Sequence, residues 1–262
     1  MEFNTIKVAN DAGIGRITLA RADKHNAFNA EMIAELIDAL TTLNQDTALR
    51  LLLLDAEGKN FCAGADLNWM KQQAQMDAAA NVADANQLAL LFHHLDNLPV
   101  PVVMLVQGAA FGGALGLVAC ADIVIANHRA KFCLSEVKLG LIPATISPYV
   151  GRAIGQRQLR RYALSAELIN AEQALTLGLV HQLEDDLHRA GNSICAQLLD
   201  NSPQALRACK SLLSLIEASP IDAQLRADTA ERIAAIRVSD EGQHGLNAFF
   251  SKQPPRWQGA KR

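Results

Sequence analysis

Short apolar runs that alternate with helical patterns are the feature that most constrains the fold of this chain. Residues 49–54 form an apolar run, broken only by Arg50, that is too short for a buried helix and therefore predicts a buried strand. Residues 102–106 and 122–126 predict two further strands, with helical patterns at 84–98 and 113–120. The alternation indicates a layered α/β core.

The N-terminal region predicts a hairpin followed by an amphipathic helix. Residues 6–8 and 15–19 are β-rich and flank the turn sequence at 11–13. Asn29 is a candidate N-cap, and the apolar residues after it recur at helical spacing. That stripe consists of Met32, Ile33, Leu36, Ile37, Leu40 and Leu43.

Beyond residue 155 the pattern becomes almost entirely helical. The predicted helices cover residues 157–165, 171–177, 186–199, 203–218, 221–237 and 240–250, with a short non-helical run at 179–183. Pro203 and Ser239 stand where an N1 proline and an N-cap belong. The apolar residues of the last helices either fold back on the core or face another subunit, and the sequence leaves both open.

Composition excludes a nucleic-acid binder. The 262 residues are 50% hydrophobic, enough for one large domain or one domain plus an appendage. The chain has 24 Lys and Arg against 27 Asp and Glu, a net charge of −3. No basic cluster is longer than Arg160-Arg161, so the extended basic surface that binds phosphate backbones is missing.

The cysteines indicate a reducing compartment, and the lengths of the apolar runs indicate a chain without a transmembrane segment. The 5 cysteines are odd in number and never form C-x-x-C, which argues against a disulfide framework and a zinc knuckle. The first residues, MEFNTIKVANDAG, carry no targeting pattern, and no apolar run reaches membrane-spanning length. We therefore expect a cytoplasmic protein without a transmembrane segment.

Two loop-to-helix junctions built from small residues are candidates for binding a negatively charged oxygen. They are FCAGADL at residues 61–67 and FGGAL at 111–115, and both follow predicted strands. The first N–H groups of a helix are unpaired and carry positive partial charge, so two such ends facing one point can stabilise an oxyanion. Neither junction matches a dinucleotide fingerprint or a P-loop.

Glu136 is the candidate acid or base. It is a lone carboxyl among apolar residues in FCLSEVKLGLIP at 132–143, and burial would raise its pKa toward neutrality so that it could both give and take a proton. The alternative is a surface glutamate paired with Lys138. Two other carboxylates fit structural roles, Asp66 as a helix cap and Asp122 as an acceptor for backbone or a basic partner.

Metal and serine chemistry have little support. The 7 histidines include no H-E-x-x-H pair and no dense ligand set, so we expect no metal site. No G-x-S-x-G is present, although Ser135 and Ser147 keep a serine nucleophile formally possible.

Four segments together resemble the crotonase family, also called the enoyl-CoA hydratase/isomerase superfamily. They are residues 24–28 (KHNAF), 61–66, 108–123 and 132–143, in family order and at family-like spacing. The resemblance spans essentially the whole chain. It implies a crotonase-like spiral of ββα turns with the acyl-CoA site over residues 1–200, and a C-terminal helical trimerisation region over residues 201–262. It further implies a homotrimer, commonly stacked into a hexamer.

The resemblance also implies an acyl-CoA substrate, with coenzyme A as part of the substrate and no separate cofactor. The thioester oxygen would be held by the N–H groups of Ala65 and Gly113, beside Glu136. Contacts to the coenzyme A portion would map to Lys24, Ala27, Ala63, Asp66, Leu67 and Lys252, the last from its own or an adjacent subunit.

The chain departs from the family pattern at two places. Family hydratases of the best-known type carry two glutamates; the first falls on Gly116 and the second on Glu136. Residues 144–150 (ATISPYV) replace a glycine-rich run, and this local pattern resembles the bacterial methylglutaconyl-CoA hydratases of the family. Hydration of a short, branched or carboxylated 2-enoyl-CoA is therefore favoured. A Δ3,Δ2-enoyl-CoA isomerase and a non-catalytic acyl-CoA-binding subunit remain alternatives.

Overall fold

The structure, a computed structural model, describes residues 3–258. Its strands are β1 (Ile6–Asp11), β2 (Ile14–Leu19), β3 (Leu51–Ala56), β4 (Val102–Val106), β5 (Ala109–Phe111), β6 (Ile123–Ala126), β7 (Lys131–Cys133), β8 (Ile169–Asn170) and β9 (Gln182–Leu183). Its helices are α1 (Ala30–Gln45), α2 (Leu67–Gln73), α3 (Ala78–Asp96), α4 (Gly113–Cys120), α5 (Ser147–Ile154), α6 (Gln156–Ser165), α7 (Ala171–Leu177), α8 (Leu187–Leu199), α9 (Pro203–Ala218), α10 (Ala223–Val238) and α11 (Asp240–Ser251).

Two sheets form the β layer. The larger has six strands in the order β1-β2-β3-β4-β6-β9, antiparallel at β1–β2 and parallel from β2 onward. The smaller has three strands in the order β5-β7-β8. Parallel neighbours require crossover connections, which α1 supplies between β2 and β3 and α2–α3 supply between β3 and β4. The predicted α/β spiral is thus confirmed.

The N-terminal predictions are confirmed in detail. β1 and β2 pair from Ile6 with Leu19 to Asp11 with Ile14, so the hairpin turns at Ala12-Gly13. The Asn29 side chain accepts a hydrogen bond from the Met32 N–H at 2.9 Å and caps α1. Five of the six residues of the predicted stripe are buried, and Ile37 is half-buried.

The core lies on both faces of the larger sheet. In β3, Leu52 and Leu54 pack with α1, α3 and α4 on one face, whereas Leu51 and Leu53 pack with α8 on the other. Successive side chains of a strand point to opposite faces, so a strand covered on both sides reads as a continuous apolar run. Each leucine buried in this way contributes about 1.5–3 kcal/mol of transfer free energy.

The sequence misses the shortest elements and one helix. β5, β7 and β8 span two or three residues each, too few for a periodic signal. α5 was not predicted, although Pro148 sits in its first turn. α3 begins at Ala78 instead of residue 84, because Asp77 caps it by accepting from the Ala80 N–H at 2.8 Å. Residues 78–83 carry too few large apolar side chains to show the helical period in the sequence.

Polar contacts hold α9 against the core, and α10 and α11 pack on α9 and on each other. Lys210 on α9 donates to the Val100 carbonyl at 3.0 Å and to Asp122 at 2.6 Å, and Asp122 also accepts from the Val102 N–H at 2.7 Å. Asp122 therefore has both kinds of partner that its sequence position suggested. Helices α9–α11 expose large apolar side chains, namely Leu213, Ile216, Ile233, Val238, Leu246, Phe249 and Phe250, and the loop between α9 and α10 exposes Ile221.

Over residues 3–258, no helix is both long and apolar enough to cross a lipid bilayer. The cysteines are free thiols; Cys209 is exposed and the others are buried.

Candidate active site

A cavity of about 900 Å³ opens between the α2–α3 pair and the segment from Glu136 to Ile146. Ala65, Gly113 and Glu136, the three residues expected to carry the chemistry, all line it. They come from separate places along the chain, namely the loop before α2, the first residue of α4, and the turn after β7. The fold therefore brings the two small-residue junctions and the acid to one space.

The Ala65 N–H has no hydrogen-bond acceptor within residues 3–258. Phe28 and Ala65 form a parallel bridge in which the Phe28 N–H donates to the Gly64 carbonyl at 2.8 Å and the Asp66 N–H donates to the Phe28 carbonyl at 2.7 Å. In such a bridge the central residue turns its own N–H and C=O to the opposite side. Gly64 precedes it with φ +108°, a conformation that side-chain-bearing residues rarely adopt.

Gly113 is the first residue of α4, so its N–H lies in the unpaired first turn of that helix. Gly112 before it has φ +54° and ψ −125°, and its own N–H donates to the Cys133 carbonyl at 2.9 Å. A Cβ on Gly113 would lie 3.3 Å from the Phe28 ring, which is tight packing. Bare backbone at this position thus leaves an N–H free at a cavity wall that has little room for a side chain.

Glu136 begins a short 3₁₀ turn, Glu136–Leu139, which ends at Gly140 in the left-handed conformation. Its Oε1 lies 3.4 Å from the point where a Cβ on Gly112 would stand, so the carboxyl is next to the start of α4. Its Oε2 is buried and has no hydrogen-bond partner in the described chain. Burial raises the pKa of this carboxyl above its ordinary value. A surface pairing with Lys138 is not seen among the ion pairs of residues 3–258.

Packing closes the position of the first family glutamate. Gly116 is buried in α4, and a Cβ there would stand 2.6 Å from Ile146 Cγ2 and 2.6 Å from two ring atoms of Phe92. Real Cβ atoms do not approach other atoms so closely. Ile146 belongs to the segment at residues 144–150 that departs from the family pattern. The two departures are therefore in contact, and no side chain fits at residue 116.

The α2–α3 wall of the cavity carries a polar cluster that the sequence did not reveal. Asp84 accepts from Trp69 Nε1 at 3.2 Å through Oδ1 and from Gln73 Nε2 at 2.6 Å through Oδ2. All three residues line the cavity. Asp84 is 15 residues from Trp69, and nothing in their spacing indicates a contact, because two different helices bring them together.

The six residues expected to contact coenzyme A do not lie together: two line a second cavity, and four line neither cavity. Lys24 and Asp66 line a second, smaller cavity beside the first, where Asp66 accepts from Arg21 at 3.0 Å and caps α2 by accepting from the Asn68 N–H at 2.8 Å. The other four lie in neither cavity. The Ala27 carbonyl accepts from Arg21 at 2.7 Å, and the Ala63 N–H donates to the His25 carbonyl at 3.0 Å. Leu67 is 74% exposed at the start of α2, and Lys252 is an exposed left-handed C-cap of α11.

Within residues 3–258, no group of three or more His, Cys, Asp or Glu side chains is arranged to hold a metal ion. The expectation that the chemistry needs no metal stays a prediction.

Comparison with known proteins gives one consistent result. The model of the family described as enoyl-CoA hydratase/isomerase matches residues 9–260. A crystal structure of an enoyl-CoA hydratase from Shewanella pealeana is 54% identical with a TM-score of 0.95, over 98% of this chain and 97% of that one.

Two curated relatives carry different activities in their names. The 1,2-epoxyphenylacetyl-CoA isomerase of Escherichia coli is 32% identical over 99% of each chain. The mitochondrial methylglutaconyl-CoA hydratase of the mouse is 30% identical over 94% of this chain and 80% of its own length. The chain is a member of the enoyl-CoA hydratase/isomerase family, and thus an enzyme of the crotonase superfamily.

Proposed function

We propose that the protein adds water reversibly to the α,β double bond of a 2-enoyl-CoA thioester, giving a 3-hydroxyacyl-CoA. The observation that carries this proposal is that Ala65 and Gly113, whose N–H groups have no acceptor within residues 3–258, line one cavity with the partly buried Glu136. Such a site suits a substrate whose carbonyl oxygen gains negative charge while a proton is exchanged nearby.

In the mechanism, the N–H groups of Ala65 and Gly113 donate to the thioester oxygen and stabilise the enolate that forms when water adds to the β-carbon. Glu136 exchanges the proton at the α-carbon, for which a raised pKa is an advantage near neutral pH. Removal of one donor from an oxyanion site of this kind costs about 10²–10³ in rate.

The substrate also has to be held through its coenzyme A portion. Lys24 lines the second cavity, and its exposed ammonium group, 4.0 Å from Asp23 Oδ2, would meet a phosphate there, while Asp66 caps the start of α2 beside it. Ala27, Ala63 and Leu67 would contact the nucleotide, and Lys252 would reach a phosphate from its own or a neighbouring subunit. The reaction needs no group beyond the substrate and water.

For the acyl chain we propose a short, branched or carboxylated group, with methylglutaconyl-CoA as the first substrate to test. The name of the mouse relative supports this choice, as does the ATISPYV segment. Its first three residues line the cavity, and its last four begin α5. Cavity walls from Leu88, Met70 and Ile146 would cover the hydrocarbon portion.

A turnover screen of the wild-type protein and Glu136→Gln tests the proposal. Crotonyl-CoA, branched enoyl-CoA thioesters and methylglutaconyl-CoA are supplied singly, and products are identified by mass. We expect an added water in the product of the wild-type protein and a loss of about 10²-fold or more in the variant. Hydration by Glu136→Gln at the wild-type rate would exclude the assignment.

Isomerisation of a Δ3 to a Δ2 double bond is the second candidate, because Gly116 leaves a single glutamate at the family positions. The E. coli relative is named for an isomerase. Solvent labelled with ¹⁸O separates the two reactions: label at the β-carbon supports hydration, and a shifted double bond without label supports isomerisation. Tight acyl-CoA binding without turnover on any thioester would favour a non-catalytic binding subunit.

We also propose that the protein is a homotrimer, or a hexamer of two trimers, assembled through residues 201–262. The exposed apolar side chains of α9–α11, among them Phe249 and Phe250 at 77% and 73% exposure, support an interface there. Light scattering coupled to size-exclusion chromatography gives the mass directly, and a monomer at micromolar concentration would contradict the proposal.

A further inference from the structure

Hydration needs a group that orients and deprotonates water at the β-carbon, and the fold leaves none at the family position. Gly116 cannot take a side chain, since Ile146 and Phe92 occupy the space. Glu136, which lines the cavity, is assigned to the α-carbon in the proposed mechanism. A second carboxylate does line the cavity, on the opposite wall: Asp84 of α3.

Two hydrogen bonds from α2 hold the Asp84 carboxyl group. Both N–H donors that point at it, the indole of Trp69 and the amide of Gln73, are neutral groups, and each uses a different carboxylate oxygen. Each oxygen therefore keeps acceptor capacity for a further hydrogen bond. Trp69 is 6% exposed and packs into the hydrophobic core, so one of these donors is rigidly fixed.

Asn81 fixes the start of the helix that carries Asp84. Its side-chain amide donates to the carbonyls of Gln73, Met76 and Asp77 at 3.0–3.2 Å, which ties the end of α2 to the first turn of α3. Asp84, on a helix whose start is fixed in this way, lines the cavity that Ala65, Gly113 and Glu136 also line.

We propose that Asp84 is the second catalytic carboxylate of this site: it binds the water that attacks the β-carbon and accepts its proton. This inference rests on the proposed hydration. As the new C–O bond forms, the electron pair of the double bond moves to the thioester oxygen, held by the two N–H groups. The protonated Glu136 then gives its proton to the α-carbon. One proton has moved to Asp84 and one has left Glu136, and transfer through solvent restores the starting state.

Two measurements on the Asp84→Asn variant distinguish activation of water from a purely structural role of Asp84. The first is hydration of crotonyl-CoA and methylglutaconyl-CoA. The second is exchange of the α-protons of butyryl-CoA with D₂O, which needs the enolate site and Glu136 but no attacking water. We expect kcat for hydration to fall about 10²-fold or more, with KM within about threefold and α-exchange close to wild type. Glu136→Gln should lose both activities.

Asp77→Asn is the matched control. Asp77 is also a carboxylate at the start of α3, but it caps the helix and does not line the cavity, and asparagine caps a helix as well as aspartate does. This variant should keep both activities. Trp69→Phe removes one N–H donor to Asp84 while the carboxylate stays, so its hydration kcat should fall between those of the wild type and Asp84→Asn.

Four results would overturn the proposal. Hydration by Asp84→Asn at the wild-type rate would show that another group activates water. Loss of α-exchange together with hydration in a folded Asp84→Asn protein, checked by circular dichroism, would show that Asp84 only supports the cavity. Loss of both activities in Asp77→Asn would attribute the effect to α3 as a whole. A wild-type protein that exchanges α-protons but hydrates none of the thioesters would refute the proposed function itself, and the role of Asp84 with it.

Discussion

Replacing Gly116 by alanine tests whether packing closes the position of the first family glutamate. The added Cβ would stand 2.6 Å from Ile146 Cγ2 and from Phe92 Cε1 and Cζ. Carbon atoms make favourable contacts at about 3.5–4.0 Å, so these neighbours must retreat by about 1 Å. Phe92 is 0% and Ile146 1% exposed, so both neighbours are packed within the protein interior.

Two opposing terms set the magnitude. Overpacking of a well-packed core costs about 1–3 kcal/mol, and three simultaneous contacts place this site in the upper part of that range. Alanine in place of glycine within a helix stabilises by about 1 kcal/mol. We therefore expect Gly116→Ala to lower the free energy of unfolding by about 1–2 kcal/mol.

Urea unfolding followed by circular dichroism measures the difference, with wild type and variant at one protein concentration because assembly affects apparent stability. The midpoint should fall while the slope stays constant. Phe92→Leu removes the two contacting ring atoms, so in the double variant the loss should be smaller than the sum of the single losses by about 1 kcal/mol. A Gly116→Ala protein as stable as the wild type would refute the packing argument, since helix propensity would then outweigh the contacts.

Further predictions follow from other parts of the molecule. Gly112→Ala adds a Cβ at a residue of positive φ, 3.4 Å from Glu136 Oε1. We expect kcat to fall about tenfold or more while circular dichroism shows a folded protein. An unchanged kcat would contradict the close approach of residue 112 to Glu136. Burial raises the pKa of Glu136 in the folded protein, so folding is favoured while this carboxyl is protonated. This contribution to the free energy of unfolding is complete below the ordinary carboxyl pKa and is lost as the pH rises through the raised pKa of the folded protein. Glu136→Gln should therefore be more stable than the wild type near pH 7 but not near pH 4; equal stability at both would count against burial of the ionised group. Lys210→Met leaves the Val100 carbonyl and Asp122 without their cation, and chemical denaturation should report a loss of about 1–3 kcal/mol, whereas no loss would show that α9 docks by apolar contact alone. Burial raises the pKa of the Cys62 thiol to about 12, and of the thiols only Cys209 is exposed; a thiol reagent should modify Cys209 first in the native protein, and early modification of Cys62 would indicate opening of the core.

The parts of the fold that the sequence predicts are those where one physical signal dominates. The runs at 102–106 and 113–120 are apolar enough to be buried all round, and their bounds coincide with β4 and α4. Asn29 and Ser239 were identified as caps because a short polar side chain before an apolar period has few other reasons to be there. β5, β7 and β8 are short enough that tertiary pairing alone determines them.

The site is less accessible to sequence reasoning, for a different reason. The glycines at 64 and 112 can be read as positions that need unusual backbone angles, so the two junctions stand out. Whether Glu136 is buried depends on what packs around it, and one sequence favours the surface pairing with Lys138. Asp84 shows no signal at all, because its significance comes from Trp69 and Gln73 on another helix.

The two unpaired N–H groups belong to the peptide backbone, and this limits what amino-acid substitutions can do to the oxyanion site. Among substitutions at residues 65 and 113, only proline removes the backbone N–H donor; every other one can at most displace it. Substitutions of Gly64 and Gly112, whose positive φ angles orient the following amides, would cause such a displacement. A chemist could remove a single donor cleanly by replacing the peptide link with an ester, a change that the genetic code does not offer.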